Sequence, residues 1–182
     1  QQVRGFCKST FFKRLDSSGH SFLLTVYRHI LRNSVFLYAI QQGLPFPIGD
    51  DNSVKFEFSE DYDSFEDDNT ISSTEMSCDI LTLPLKLESY LEKAKSYYSF
   101  VAEKNNVEWI PSTFFTDKLK KDLEKDCSNL IEILSICGSW KASEDQKLNE
   151  LEKLLKETHN SEKVLIFTQY ADTANYVFEQ LK

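Results

Sequence analysis

The stretch that decides the fold class is residues 163–181, KVLIFTQYADTANYVFEQL. Residues 164–167 form an uninterrupted apolar run, which is typical of a parallel strand buried on both faces. After a polar turn at 168–170, apolar residues recur at helical spacing: Ala171, Ala174, Val177, Phe178 and Leu181. The pattern predicts half of a βαβ unit. Because one β–α step cannot bury both of its faces, we expect the chain to belong to something larger.

Long helices are predicted for most of the remaining chain. Residues 3–42 place apolar side chains on one helical face, with a kink or a split expected at Ser18-Gly19 because glycine costs about 1 kcal/mol inside a helix. Gly43 fits the C-terminal cap of this helix. Further apolar stripes predict helices over 84–105 and 112–137.

Local signals predict the connections between these helices. Trp109-Ile110-Pro111 reads as a turn, and Gly138 as the cap that ends the third helix. Ser143-Glu144-Asp145-Gln146 matches a capping box, which predicts that Ser143 caps the helix running up to His159.

Charge is unevenly distributed along the chain, whose net charge is −8. Residues 1–49 carry six basic residues and one acid, whereas residues 50–79 carry eleven acids and one lysine. The basic residues are interpreted either as a solvated helix face or as an edge that neutralises phosphates. The acidic segment, with a weak strand-like pattern at 54–58, is either a poorly ordered solvated insertion or a tail that mimics DNA and covers the basic helix.

Composition indicates a reduced, intracellular environment. The four cysteines, Cys7, Cys78, Cys127 and Cys137, lie far apart and form no C-x-x-C pair, so neither a disulfide nor a metal site is predicted. No apolar run reaches the length of a membrane span, and no secretory signal opens the chain. These features predict a cytoplasmic protein without a membrane partner.

Three segments together resemble the SNF2-type ATPases of helicase superfamily 2. KVLIFTQYADTANYVFEQL is similar to motif IV, which opens the second RecA-like lobe. FKRLDSS, residues 12–18, resembles the helix that leaves the first lobe, and DQKL, residues 145–148, resembles the helix that leads into motif IV. Their order and spacing also match that family.

The resemblance implies a fold, a division of the chain and a partner. The fold would be mainly α, with one β–α step beginning a RecA-like α/β lobe at the C-terminus. The four parts would be residues 1–47 leaving the first lobe, the acidic insertion 48–80, a helical inter-lobe region 81–160, and the start of the second lobe at 161–182. The parent would be an ATP-dependent translocase acting on nucleic acid, DNA rather than RNA.

The resemblance also implies a nucleic-acid site. Thr168, Gln169 and Tyr170 follow the predicted strand, where ligands meet the carboxyl ends of parallel strands, and would lie near a phosphate backbone. Thr168 could instead cap the following helix. Lys13 and Arg14 resemble a basic pair at the exit of the first lobe, where they would contact DNA or stabilise the junction.

Catalytic chemistry is not predicted for this chain. None of its five glycines begins the G-x-x-x-x-G-K-[ST] phosphate loop, and all four arginines lie within the first 32 residues. ATP and Mg²⁺ are therefore expected only for the parent, as is enzyme activity, and nucleic-acid binding by the chain alone should be weak.

Two further expectations concern partners. An alternative interpretation of the chain is a non-enzymatic helical interaction module whose acidic loop binds a basic partner. In addition, the apolar run at 164–167 predicts self-association, since an unpaired strand leaves backbone donors and acceptors without partners.

Overall fold

The structure, a computed structural model, describes residues 2–48, 79–103 and 108–182, and in these ranges the chain is mainly helical. The predicted strand at 54–58 and the rest of the acidic insertion up to residue 78 lie outside the described residues. The helices are α1 Gln2–Ser17, α2 Gly19–Gln42, α3 Leu87–Ala102, α4 Asp117–Cys137, α5 Gln146–Lys153 and α6 Ala171–Leu181. The strands are β1 Phe46–Ile48, β2 Ile80–Leu81, β3 Glu108–Ile110 and β4 Trp140–Lys141.

The described residues divide into two compact units. The central unit comprises residues 26–48, 83–103 and 108–137, and the terminal unit comprises residues 2–25, 79–82 and 138–182. Helix α2 therefore contributes its first two turns to the terminal unit and its remainder to the central unit.

Helices α2, α3 and α4 build the central unit with one small sheet. Strand β1 pairs antiparallel with β3, with Phe46 opposite Ile110 and Ile48 opposite Glu108. The core consists of the buried side chains Val35, Ala39, Phe46, Ala94, Tyr97, Tyr98 and Val101. Trp109 packs against this core, its ring centroid 5.5 Å from that of Tyr98. The predicted turn at 109–111 was thus wrong over Trp109-Ile110, which lie in a strand.

Most helix boundaries agree with the sequence analysis. The chain breaks between α1 and α2 at Ser18, as predicted, and both Gly43 (φ +66°) and Gly138 (φ +68°) adopt the left-handed conformation that ends a helix. Helix α3 begins at Leu87 rather than at 84, because Lys86 is extended. Helix α4 begins at Asp117, after a separate 3₁₀ turn at Ser112–Phe114.

The predicted strand at 164–167 is not formed, while the helix predicted after it is α6. Residues 163–168 have no regular secondary structure, and the side chains of Leu165 and Phe167 are 82% and 90% exposed. A strand needs a neighbouring strand to satisfy its backbone, and no described segment pairs with this one.

None of the helices in the described ranges combines the length and the hydropathy needed to cross a bilayer.

A pH dependence of stability is expected from His29 in the central unit. Burial, with a smaller contribution from the Arg32 cation, lowers the pKa of His29 from 6.5 to about 4. Arg32 donates from Nη2 to Nδ1 of the neutral imidazole at 2.8 Å. Between pH 6.5 and 4 the unfolded chain binds a proton that the folded chain does not, so stability falls as pH falls through this window.

The measurement is urea unfolding of the full chain at pH 7 and pH 4.5, compared with His29→Gln. After allowance for the partial exposure of the imidazole, the wild type should lose about 1–2 kcal/mol more than the variant over this range. Equal losses in the two proteins would show that His29 is not the group responsible.

Candidate nucleic-acid interface

The five residues predicted to contact nucleic acid all lie in the terminal unit, in two segments. Thr168, Gln169 and Tyr170 immediately precede α6, and Lys13 and Arg14 lie in the last turns of α1. Lys13, Thr168 and Gln169 are exposed, Tyr170 is half-buried and Arg14 is buried. Arg14 and Tyr170 are in direct contact, so the structure brings members of the two predicted groups together.

Arg14 is held between two groups at the start of α6. Its Nη1 donates to Asp172 Oδ2 at 3.0 Å, and the guanidinium carbon lies 4.0 Å from the centre of the Tyr170 ring. The two charged side chains are only 9% and 15% exposed. Asp172 thus offsets the charge of Arg14, and the pair joins α1 to the start of α6.

A row of hydroxyl groups continues the contact between α1, α2 and α6. Thr173 Oγ1 lies 2.8 Å from Ser17 Oγ and 2.7 Å from Ser21 Oγ, and Thr168 Oγ1 lies 3.5 Å from Ser17 Oγ. Thr173 and Ser21 are buried, whereas Thr168 is exposed. The row therefore runs from the interior of the unit to its surface, where it ends at Thr168.

Thr168 does not cap α6. The N-cap residue is Tyr170, whose side chain makes no capping hydrogen bond. This finding removes the alternative that was left open for Thr168 in the sequence analysis. The first amides of α6 therefore receive no side-chain cap from Tyr170, and amides in this position attract anions.

Tyr176 ties α6 to α5 on the buried side of the helix. Its hydroxyl donates to Asp145 Oδ2 at 2.9 Å and accepts from Trp140 Nε1 at 3.3 Å. Its ring stacks on His20, with centroids 4.6 Å apart and planes 11° apart. The Tyr176 side chain thus contacts the start of α2, strand β4 and the N-cap residue of α5.

The predicted capping box was wrong in its residues. Asp145, not Ser143, is the N-cap of α5, and its Oδ1 accepts from the amides of Lys147 and Leu148 at 3.0 and 3.3 Å. Since Oδ2 accepts from Tyr176, one carboxylate both caps α5 and anchors α6. A serine hydroxyl cannot supply both contacts in this way.

Several residues that hold α6 against α1, α2 and α5 were not predicted from the sequence: Ser17, Ser21, Asp145, Asp172, Thr173 and Tyr176. Asp172 had a usable signal, because an acidic residue in the first turn is favoured by the helix dipole. No sequence pattern predicted the burial of Thr173 and Tyr176, since both are polar and lie off the apolar stripe of α6. They are nevertheless the two buried residues of that helix, whereas Phe178 is 64% exposed.

Metal binding receives no support from the described ranges, in which no group of three or more His, Cys, Asp or Glu side chains is placed to hold an ion. Cys127 is a free buried thiol and Cys137 a free exposed one. Burial raises the pKa of Cys127 to about 11, which makes it an unreactive packing residue.

Comparison of the chain with protein-family models, with curated proteins and with solved structures found no match.

Proposed function

We propose that this chain is the inter-lobe helical region and the beginning of the second RecA-like lobe of an SNF2-type, ATP-dependent nucleic-acid translocase. Its role would be to position the two motor lobes on DNA, while ATP and Mg²⁺ are bound by parts of the protein that lie outside this chain.

The observation that carries the proposal is the convergence of the three segments that resemble SNF2 proteins. The first segment lies more than 120 residues before the other two, yet all three share polar contacts in one unit. Segment 12–18 contacts 163–181 through Arg14 and Ser17, and segment 145–148 contacts 163–181 through Asp145. Lys147 completes the set by donating from Nζ to the backbone carbonyl of Asp16.

The contacts between these segments are specific polar pairs rather than general apolar packing. An aliphatic contact between two helices accepts many sequences, whereas a buried arginine–carboxylate pair accepts few. The pairing of Arg14 with Asp172 and of Tyr176 with Asp145 therefore supports the interpretation that the three segments act as one structural arrangement.

The proposed contact with nucleic acid is at the start of α6. Thr168 and Gln169 are exposed, and their hydroxyl and amide can donate to phosphate oxygens. The helix N-terminus behind them favours an anion. Arg14 acts indirectly, because its contacts with Tyr170 and Asp172 fix the backbone on both sides of the helix start.

Weak, salt-dependent binding to duplex DNA is expected, measured by fluorescence anisotropy of a labelled 20-base-pair duplex. If the surface engages two phosphates, raising salt from 50 to 200 mM should lower the affinity roughly tenfold. Thr168→Val, Gln169→Ala and Lys13→Ala should each weaken binding by about twofold to fivefold at 50 mM salt.

Two matched controls keep this test specific. Thr113→Val and Lys121→Ala repeat the same changes at exposed positions of the central unit and should leave the affinity unchanged. Equal losses at the control and the interface positions, or binding that ignores salt, would refute the proposed surface.

A further inference from the structure

The inner end of the hydroxyl row between α1, α2 and α6 determines the direction of its protons. Ser21 is fully buried, and in the described part of the chain its Oγ has a single hydrogen-bond partner, Thr173 Oγ1 at 2.7 Å. A buried hydroxyl proton without an acceptor costs the desolvation free energy of that group. Ser21 therefore donates to Thr173, and Thr173 Oγ1 accepts.

Thr173 continues this direction toward the surface. Its Oγ1 has one other hydrogen-bond partner among the described residues, Ser17 Oγ at 2.8 Å, and Thr173 is only 6% exposed. Because Thr173 already accepts from Ser21, its own proton goes to Ser17. The half-buried Ser17 hydroxyl thus accepts on its inner side, and its proton is directed toward the exposed end of the row.

Ser17 and Thr168 form a pair of hydroxyl groups at that exposed end. Their oxygens are 3.5 Å apart, which is longer than an ordinary hydrogen bond between hydroxyl groups, about 2.5–3.0 Å. Two oxygens at this separation can each lie about 2.8 Å from one shared acceptor atom. Lys13 precedes Ser17 by one helical turn on the same face of α1, so a cation accompanies the two donors. The pair is therefore suited to an anionic oxygen.

We propose that Ser17 binds the nucleic-acid backbone directly, donating together with Thr168 to one oxygen of the same phosphate group. The inference rests on the proposed function and adds to it a contact residue on α1. Since the Ser17 proton is directed outward and Thr168 is exposed, the pair can donate two hydrogen bonds to a group that only accepts them, as a phosphodiester oxygen does. The buried hydroxyls of Ser21 and Thr173 do not touch the ligand, but they keep the Ser17 proton available to it.

Fluorescence anisotropy of the full chain with the same labelled duplex tests the direct contact. Ser17→Ala should weaken binding by about twofold to fivefold at 50 mM salt, as is expected for Thr168→Val, because one hydrogen bond to phosphate is lost. The salt dependence should stay unchanged, since a neutral hydroxyl releases no counterion. Ser18→Ala is the matched control, because it makes the same change at the next residue, whose buried Oγ has no hydrogen-bond partner in the described part of the chain. This control should bind DNA like the wild type.

Thr173→Val separates a direct contact of Ser17 from a structural role. The variant removes the inner partner of Ser17 but leaves the Ser17 proton free for phosphate, so DNA affinity should fall by less than about twofold. Its urea midpoint should nevertheless drop further than that of Ser17→Ala, because the buried Ser21 proton loses its acceptor. If Thr173→Val weakens DNA binding as much as Ser17→Ala does, Ser17 acts only by holding α6, and the inference is overturned.

Failure of this inference can be told apart from failure of the proposed function. A loss of affinity in Thr168→Val with none in Ser17→Ala would overturn the inference alone, whereas unchanged affinity in both variants would refute the proposed DNA contact as well. The proton direction is measured without DNA, from nuclear Overhauser effects of the buried Thr173 hydroxyl proton. These should be stronger to the β protons of Ser17 than to those of Ser21, and the reverse order would overturn the inference.

Discussion

Replacing Gly19 with alanine is expected to destabilise the terminal unit by about 1–3 kcal/mol, the usual cost of overpacking. A Cβ atom at this position would lie 2.4 and 2.7 Å from two ring carbons of Trp140, closer than carbon atoms approach in real structures. The indole cannot move freely, because its Nε1 donates to the Tyr176 hydroxyl. The expected readout is a lower urea midpoint with an unchanged slope.

The double variant Gly19→Ala/Trp140→Leu is the control for this prediction. Trp140→Leu alone should also be destabilising, since it removes buried ring surface. In that background, however, the added methyl group at residue 19 has room, and its cost should fall to within about 0.5 kcal/mol of zero. If Gly19→Ala costs the same in both backgrounds, the close approach of Trp140 is not the reason for glycine.

The second large effect is expected from Asp172→Ala, at about 3–5 kcal/mol. The substitution leaves the guanidinium of Arg14 buried without its carboxylate, and the loss of one partner of a buried pair costs far more than the pair itself contributes. It also removes the charged contact between α1 and the start of α6, leaving the hydroxyl contacts of Ser17. Chemical unfolding measures the loss, and DNA affinity should fall with it because Thr168 and Gln169 lose their fixed position.

Two comparisons separate this effect from an ordinary loss of charge. Glu179→Ala removes the acid of the exposed pair with Lys182 and should change stability by less than about 0.5 kcal/mol. The double variant Arg14→Met/Asp172→Leu removes both buried charges and should recover most of the loss. A double variant as unstable as Asp172→Ala would show that burial of an unpaired charge is not the cause.

The helices could be predicted from the sequence because their signals are local. Apolar periodicity placed α2, α3, α4 and α6, and glycine at residues 43 and 138 marked two helix ends. These features depend on residues three or four positions apart, which the sequence displays directly.

The short strands could not be predicted in this way. Strands β2 and β4 contain two residues each, and their partners are about 60 residues apart, with Leu81 opposite Trp140. Such pairs form only because tertiary packing brings them together, and a run of two or three residues has no period of its own. The apolar run at 164–167 is the opposite situation: its sequence has a strand pattern, yet no strand forms because no described segment pairs with it.

The candidate site was partly visible in the sequence. Lys13, Thr168 and Gln169 are exposed as a contact surface requires, but the burial of Arg14 was not foreseeable, because the residue that pairs with it lies 158 positions away. In the same way, both Ser143 and Asp145 are good capping residues by type. Asp145 is the one that caps α5, and its second carboxylate oxygen accepts a hydrogen bond from the Tyr176 hydroxyl. Polar partners that are distant in sequence therefore determine the burial of Arg14 and the N-cap residue of α5, which local sequence patterns do not specify.

We propose that the three SNF2-like segments present the start of α6 to nucleic acid. The most direct measurement is chemical-shift mapping of the ¹⁵N-labelled full chain during titration with a short DNA duplex at low salt. We expect the perturbed amides to cluster at residues 168–172 and around Lys13, with Thr113 and Lys121 unaffected. Perturbations confined to the central unit, with the amides of 168–172 unchanged at saturating DNA, would contradict it.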